Sequence, residues 1–212
     1  MTVVITGASR GIGAGIAAAC AARGEEVIGT TRVGDWSLDV TKPESVESFA
    51  SQLEGRTVDL LVCNAGVYLD KGDRLDNGYG GQLWAETFAA NVTGVFLTIQ
   101  ALLSNLRAAQ AGRIAIISSQ MASSEKAPGG SYIYRSSKAA VLNLGRNLAA
   151  DLRPEGIAVG IYHPGWVITD MGGRAADITV DEAVRGLMDR FDALDMNRTG
   201  CFETWDGRTH PY

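Results

Sequence analysis

The 212-residue sequence has few cysteines, few histidines and no long apolar run. Its three cysteines, Cys20, Cys63 and Cys201, lack the paired spacing of a zinc site or a disulfide framework, so we interpret them as small buried apolar residues. Two histidines offer too few ligands for a metal, and we predict no metal site. No apolar run approaches the ~18 residues of a membrane span, and because the first predicted strand begins at once we expect no signal peptide. We therefore expect a cytoplasmic protein with no membrane partner.

Basic residues are also scarce, because 19 Lys and Arg stand against 24 Asp and Glu, for a net charge of -5. Nucleic-acid binding requires clustered basic side chains, so we predict no DNA or RNA partner. Hydrophobic residues and glycines are abundant, at 46% and 26 residues. This composition fits one buried core, and 212 residues are too few for two catalytic domains. Residues 1–212 are therefore predicted to form a single domain.

Short β-branched runs alternate with helical patterns along the chain. Capping-box spacing at Thr41 and Glu44, and again at Thr179 and Glu182, indicates two helix starts. The other helices are predicted at residues 12–20, 84–108 and 131–152, and strands at residues 3–5, 26–30, 37–40, 58–63, 113–117, 157–162 and 200–205. This alternation predicts an α/β Rossmann fold, a doubly wound parallel sheet of about seven strands with helices on both faces.

A glycine-rich turn follows the first predicted strand and opens the first predicted helix. It reads Thr6-Gly7-Ala8-Ser9-Arg10-Gly11-Ile12-Gly13. Free N–H groups and the helix dipole at such a place attract phosphate, and glycine lets the backbone approach it closely. An ordinary tight turn is the alternative, but the position between a first strand and a first helix favours a dinucleotide site.

Tyr134 and Lys138 are four residues apart in a predicted helix, so their side chains project from the same face. A phenol has an ordinary pKa of about 10, and a nearby cation favours its ionised form. The pair is therefore suited to acid and base chemistry, although such a pair also occurs on solvated helix faces.

These motifs together resemble the short-chain dehydrogenase/reductase family, and within it the small C-factor-like and sniffer-like carbonyl reductases. The family carries Thr-Gly-x-x-x-Gly-x-Gly, Asn-Ala-Gly, a Ser and Tyr-x-x-x-Lys in this order, and all four occur here. The resemblance spans essentially the whole chain. It implies an enzyme that acts on CH-OH and C=O groups.

The resemblance also implies a catalytic tetrad. Tyr134 would be the general acid and base, Lys138 would hold the nicotinamide ribose and lower the pKa of Tyr134, and Ser119 would bind the reacting oxygen. Asn91 would kink the long helix and hold a proton-relaying water. Ser118 stays open as an alternative to Ser119.

The cofactor preference follows from charge after the second predicted strand. A 2′-phosphate needs cations, and Arg32 follows this strand where an acidic residue would favour NAD(H). Arg10 and Arg32 are predicted to clamp the phosphate, so NADP(H) is preferred and NAD(H) is possible. By resemblance, the cofactor-binding residues are Gly7, Ser9, Arg10, Gly11, Ile12, Gly13, Arg32, Asp39, Val40, Asn64, Ala65, Gly66, Tyr134, Lys138, Pro164, Gly165, Val167 and Thr169.

The sequence thus predicts an NADP(H)-dependent oxidoreductase that transfers a hydride between nicotinamide and a small carbonyl or alcohol substrate. A nucleotide-sensing or signalling module on the same scaffold, and a lyase or epimerase, are the alternatives. The family resemblance also implies a homodimer or homotetramer formed through the two long helices.

Overall fold

The computed structural model describes residues 1–212 and is built around one parallel sheet of six strands. The strand order is β2-β1-β3-β4-β5-β6. The strands are β1 (Thr2–Ile5), β2 (Glu26–Gly29), β3 (Leu60–Cys63), β4 (Arg113–Ile117), β5 (Ala158–His163) and β6 (Phe202–Thr204). The predicted fold class is confirmed.

Helices cover both faces of the sheet because its strands carry apolar side chains on both sides. Along β1, Val4 belongs to one buried apolar cluster, and Val3 and Ile5 belong to another on the opposite face. The α-helices are α1 (Gly11–Ala22), α2 (Pro43–Gln52), α3 (Gly81–Phe88), α4 (Gly94–Ala101), α5 (Leu103–Arg107), α6 (Tyr132–Leu152) and α7 (Val180–Asp192). No helix combines the length and the apolarity that crossing a lipid bilayer requires.

The sheet has six strands where about seven were predicted, because residues 37–40 do not form a strand. Only one bridge, between Thr31 and Ser37, remains there. The N–H of Asp39 donates to the Ser45 hydroxyl at 2.9 Å, and the Asp39 carboxylate accepts from Thr41. The Asp39 N–H and carboxylate are therefore bonded within this loop and not to a neighbouring strand.

The predicted single helix over residues 84–108 is interrupted twice. A π-helical turn, Ala89–Thr93, separates α3 from α4, and a break at Leu102 separates α4 from α5. Asn91 lies inside the π-helical turn, and its side chain bonds to the backbone of Val67. A π-helical insertion of this kind is frequent at functional sites.

The two predicted capping boxes have different outcomes. At α7, the Thr179 hydroxyl accepts from the Glu182 N–H and the Glu182 carboxylate accepts from the Thr179 N–H, so this capping box is confirmed. At α2, the prediction is wrong. Lys42 occupies the N-cap and makes no side-chain bond there, and the Thr41 hydroxyl donates to the Asp39 carboxylate.

Candidate active site

The glycine turn after β1 lies against the turn after β3 at the carboxyl edge of the sheet. The Asn64 side-chain amide donates to the carbonyl oxygens of Thr6 and Gly7, both at 3.0 Å. A Cβ at Gly13 would lie 2.3 Å from the Gly7 oxygen, so only glycine fits there. α1 begins here with no side-chain cap and no acidic residue in its first turn. Its first N–H groups are therefore available to an anion.

A cavity of about 540 Å³ opens in front of this turn. Most of the predicted cofactor residues line it, namely Gly7, Ser9, Arg10, Gly11, Ile12, Gly13, Arg32, Asp39, Val40, Asn64, Ala65, Gly66 and Thr169. Thr31, Leu38, Thr41, Val67, Ala90, Ile168, Asp170, Met171 and Val180 also line it and were not predicted. The cavity therefore brings together residues from the turn after β1, from the loops after β2 and β3, and from the loop after β5.

Two charged groups of this cavity, Arg10 and Asp39, already have partners. The Arg10 guanidinium lies 2.9 Å from the Asp170 carboxylate, and both side chains are about three-quarters exposed, at 75% and 77%. The hydrogen bond from the Thr41 hydroxyl lowers the pKa of Asp39, with a smaller contribution from Arg32. Asp170 was missed because it follows the predicted Thr169 without any local signal for its contact across the cleft.

A second cavity of about 290 Å³ adjoins the first, because Ile12, Thr169 and Met171 line both. Its walls include Ser119 and Tyr134, and also Gly165 and Val167 from the predicted cofactor residues. The remaining wall residues are Tyr68, Lys71, Gln120, Met121, His163, Trp166 and Gly172. The buried Pro164 and Lys138 line neither cavity.

The two candidate serines have different surroundings. Ser118 is 2% exposed, and its hydroxyl donates to the backbone oxygen of Lys138 at 3.2 Å. Ser119 lines the second cavity, and its hydroxyl accepts from the Met121 N–H at 3.1 Å. The Ser119 hydroxyl also interacts with the Tyr134 phenol. Geometry therefore favours Ser119 over Ser118 as the serine beside Tyr134.

Tyr134 and Lys138 are neighbours, and both side chains are buried. The Lys138 Nζ lies 5.7 Å from the centre of the Tyr134 ring and donates to the Ile117 oxygen at 2.9 Å. Burial raises the pKa of Tyr134 to about 12, although the hydrogen bond with Ser119 acts to lower it. Burial lowers the pKa of Lys138 to about 8. Lys138 is not among the groups that shift the Tyr134 pKa in this structure, and the lowering of that pKa that the resemblance implies stays a prediction.

Asn91 connects three elements behind this pair. Its side-chain oxygen accepts from the Val67 N–H at 2.8 Å, and its side-chain nitrogen donates to the Val67 oxygen at 2.9 Å and the Ser137 hydroxyl at 3.0 Å. A Cβ at Gly66 would lie 3.0 Å from the Asn91 oxygen and 3.7 Å from the Lys138 Nζ. The loop after β3 therefore packs directly against Asn91 and Lys138.

Two residues of the loop after β3 contact α6, the helix that carries Tyr134. The ring of Tyr68 stacks on the ring of Tyr134 with centres 4.2 Å apart. Asp70 is fully buried and accepts from the backbone N–H groups of Ile133 and Tyr134. Asp70 was not predicted, because an aspartate in a polar, glycine-dotted segment carries no sequence signal for a contact this distant.

Comparison with known proteins is consistent with this geometry. The sequence model of the family described as short chain dehydrogenase matches residues 1–178. The protein named C-signal from Myxococcus xanthus is 36% identical over 168 residues, which cover 79% of this chain and all of that relative. The NADPH-bound carbonyl reductase from chicken fatty liver superposes with a TM-score of 0.91 at 31% identity, covering 100% of this chain and 98% of the other.

The carbonyl reductase Sniffer of D. melanogaster gives the same TM-score of 0.91 at 26% identity, covering 100% of this chain and 99% of that one. The resemblance noted in the sequence is thus confirmed in both sequence and fold. The chain belongs to the short-chain dehydrogenase/reductase family of oxidoreductases.

Proposed function

We propose that this protein is an NADP(H)-dependent carbonyl reductase that transfers a hydride reversibly between nicotinamide and a small carbonyl or alcohol substrate. The observation that carries the proposal is the continuity of the two cavities, with Ser119 and Tyr134 in the wall of the second. The nicotinamide of a cofactor in the first cavity would thus reach the carbonyl carbon of a substrate whose oxygen is held by these two hydroxyls.

The residues of the first cavity fit a dinucleotide phosphate. The uncapped N-terminus of α1 and the close approach enforced at Gly13 suit a pyrophosphate. Arg10 and Arg32 would hold a 2′-phosphate through charge-assisted hydrogen bonds. The carbonyl reductase from chicken fatty liver is NADPH-bound, and a Burkholderia multivorans relative of 29% identity binds NADP. When bound, the nicotinamide supplies or accepts the hydride.

The side chains of the second cavity would handle the proton. Ser119 and Tyr134 would donate hydrogen bonds to the carbonyl oxygen, and Tyr134 would give its proton to that oxygen as negative charge develops there. A Tyr134 pKa of about 12 keeps the phenol protonated near neutral pH, which suits reduction. Lys138 would hold the nicotinamide ribose and place a cation near the reacting oxygen. Asn91 would fix the loop that carries Val67.

The test is NADPH consumption by the purified protein with a panel of aldehydes, ketones, diketones and quinones, and NADH in parallel. Tyr134→Phe is expected to bind NADPH and to lose about 10² to 10⁴ of the turnover. Tyr132→Phe is the matched control, because Tyr132 lies on the same helix and lines neither cavity. Retention of more than about a tenth of the turnover by Tyr134→Phe contradicts the assignment.

A nucleotide-binding signalling module is the second candidate, because one relative is named C-signal. Under this alternative, NADPH binds and no substrate is reduced. We also propose a homodimer or homotetramer, which light scattering of the purified protein tests.

A further inference from the structure

The N-terminus of α6, the helix that carries Tyr134, has an unusual cap. Ser131 occupies the N-cap position with φ 47° and ψ 45°, in the left-handed region, and its side chain makes no capping bond. A serine at this position ordinarily adopts an extended backbone and caps the helix itself. Here the Ser131 hydroxyl is hydrogen-bonded to the Tyr68 hydroxyl instead. The first N–H groups of α6 therefore need another acceptor.

Asp70 supplies that acceptor from a distant part of the chain. One of its carboxylate oxygens accepts from the Ile133 N–H at 2.9 Å, and the two oxygens lie 3.2 and 3.3 Å from the Tyr134 nitrogen. The side chain is fully buried, and no cation pairs with it. The positive end of the α6 dipole provides the compensating charge.

The same loop contacts Tyr134 and Ser131 at two further points. The Tyr68 ring stacks on the Tyr134 ring, with an angle of 22° between the planes. The Tyr79 hydroxyl accepts from the Ser131 N–H at 3.2 Å. Three side chains of residues 68–79 thus fix the backbone and the ring at the first turn of α6.

We propose that Asp70 is a positioning residue for the reductase reaction: its buried carboxylate fixes the first turn of α6 and so holds the Tyr134 phenol between Tyr68 and Ser119. This inference rests on the proposed function, because it assigns a task relative to Tyr134 as proton donor. Asp70 acts through the backbone of Tyr134 and does not line either cavity.

The charge of Asp70 also affects the phenol. Burial is the main cause of the raised Tyr134 pKa, and Tyr68 and Asp70 raise it further, whereas Ser119 lowers it. Lys138 lies beside the ring, and Lys71 and His163 line the same cavity. Removal of the Asp70 charge therefore lowers the pKa of Tyr134. Alcohol oxidation, which needs the phenolate, then begins at a lower pH.

The experiment compares Asp70→Asn and Asp70→Ala with the wild-type protein. Asp70→Asn keeps the shape and one acceptor but removes the charge, whereas Asp70→Ala removes both acceptors. Asp76→Asn is the control, because Asp76 lies in the same loop, is exposed and contacts only Arg74. The readouts are kcat and KM for reduction, the pH dependence of oxidation, the NADPH Kd, and hydrogen exchange over residues 132–136.

We expect Asp70→Asn to lower kcat about ten-fold to a hundred-fold, as a misplaced catalytic group does, with the NADPH Kd within about two-fold. Its oxidation profile moves to lower pH. Asp70→Ala loses more activity and exchanges faster over residues 132–136, and Asp76→Asn matches the wild type. Wild-type kcat with an unmoved profile in Asp70→Asn overturns the proposal. A loss of activity that only follows the unfolded fraction, again with an unmoved profile, also overturns it.

A protein without turnover on any substrate would refute the proposed function but would still leave Asp70 testable. The tyrosinate absorbance of Tyr134, taken as the difference from Tyr134→Phe, reports its titration without any reaction. A lower Tyr134 pKa in Asp70→Asn, together with faster exchange in Asp70→Ala, supports the positioning role. An unchanged pKa and unchanged exchange refute it.

Discussion

Replacement of Lys138 by methionine is expected to stabilise the protein in the absence of cofactor while removing its activity. Lys138 is 6% exposed, and burial lowers its pKa from 10.5 to about 8. This difference corresponds to about 3 kcal/mol of unfavourable free energy at neutral pH, where the buried amine is still charged. Methionine keeps most of the side-chain length and avoids that cost.

The gain is partly offset by the lost hydrogen bond from Nζ to the Ile117 oxygen, worth about 1 kcal/mol. The net effect is about 2 kcal/mol, or about 4–8 °C in Tm for a protein of this size. The assay is thermal unfolding of wild-type protein and Lys138→Met without NADPH, together with turnover measurements. We expect a higher Tm and almost no turnover for the variant.

The pH dependence gives the refuting test. Because the folded-state pKa of Lys138 lies below its unfolded value, the unfolded chain binds more protons between about pH 8 and pH 10.5, and wild-type stability rises with pH across this window. The advantage of Lys138→Met is therefore full below about pH 8 and shrinks above it. A variant less stable than wild type at neutral pH, or a difference that does not change with pH, refutes the reasoning.

Three other predictions concern the two cavities. Gly13→Ala is expected to abolish NADPH binding and lower Tm, because its methyl group would lie 2.3 Å from a backbone oxygen; wild-type binding by calorimetry contradicts this. Asp170→Asn is expected to tighten NADPH binding up to about five-fold at low salt, because an exposed ion pair worth about 1 kcal/mol no longer competes for Arg10, with NADH as the control. Ser119→Ala is expected to lower kcat at least about ten-fold more than Ser118→Ala; the reverse order would assign the substrate contact to Ser118.

Much of the fold could be predicted because its signals are local. The run at residues 113–117 matches β4, and helix 131–152 begins one residue later in the structure, at Tyr132. The strand expected at residues 37–40 failed because β-propensity does not reveal that the Asp39 backbone bonds to Ser45. The break of the long helix at Leu102 was not predicted, whereas the family resemblance did imply a kink at Asn91, where the structure has a π-helical turn.

The same distinction between local signals and distant contacts applies to the residues of the candidate site. The glycine turn and Ser119 could be placed because each follows a strand that ends at the same edge of the sheet, and Tyr134 could be placed from its Tyr-x-x-x-Lys motif at the start of α6. Asp70 and Asp170 could not, because their importance arises only from contacts with residues far away in sequence. The pKa of Tyr134 also required the structure, since burial dominates it and burial is not a local property.

Direct hydride transfer is the central claim, and deuterium labelling tests it most directly. The protein is incubated with NADPH deuterated at the nicotinamide C4 and with a carbonyl substrate found in the panel, and the alcohol product is analysed by mass spectrometry. When the transferred C4 position carries the label, we predict one deuterium on the carbinol carbon of each product molecule, and almost no alcohol from Tyr134→Phe. An alcohol without deuterium when either C4 face of the cofactor is labelled, or NADPH that binds and is never consumed, would contradict the account.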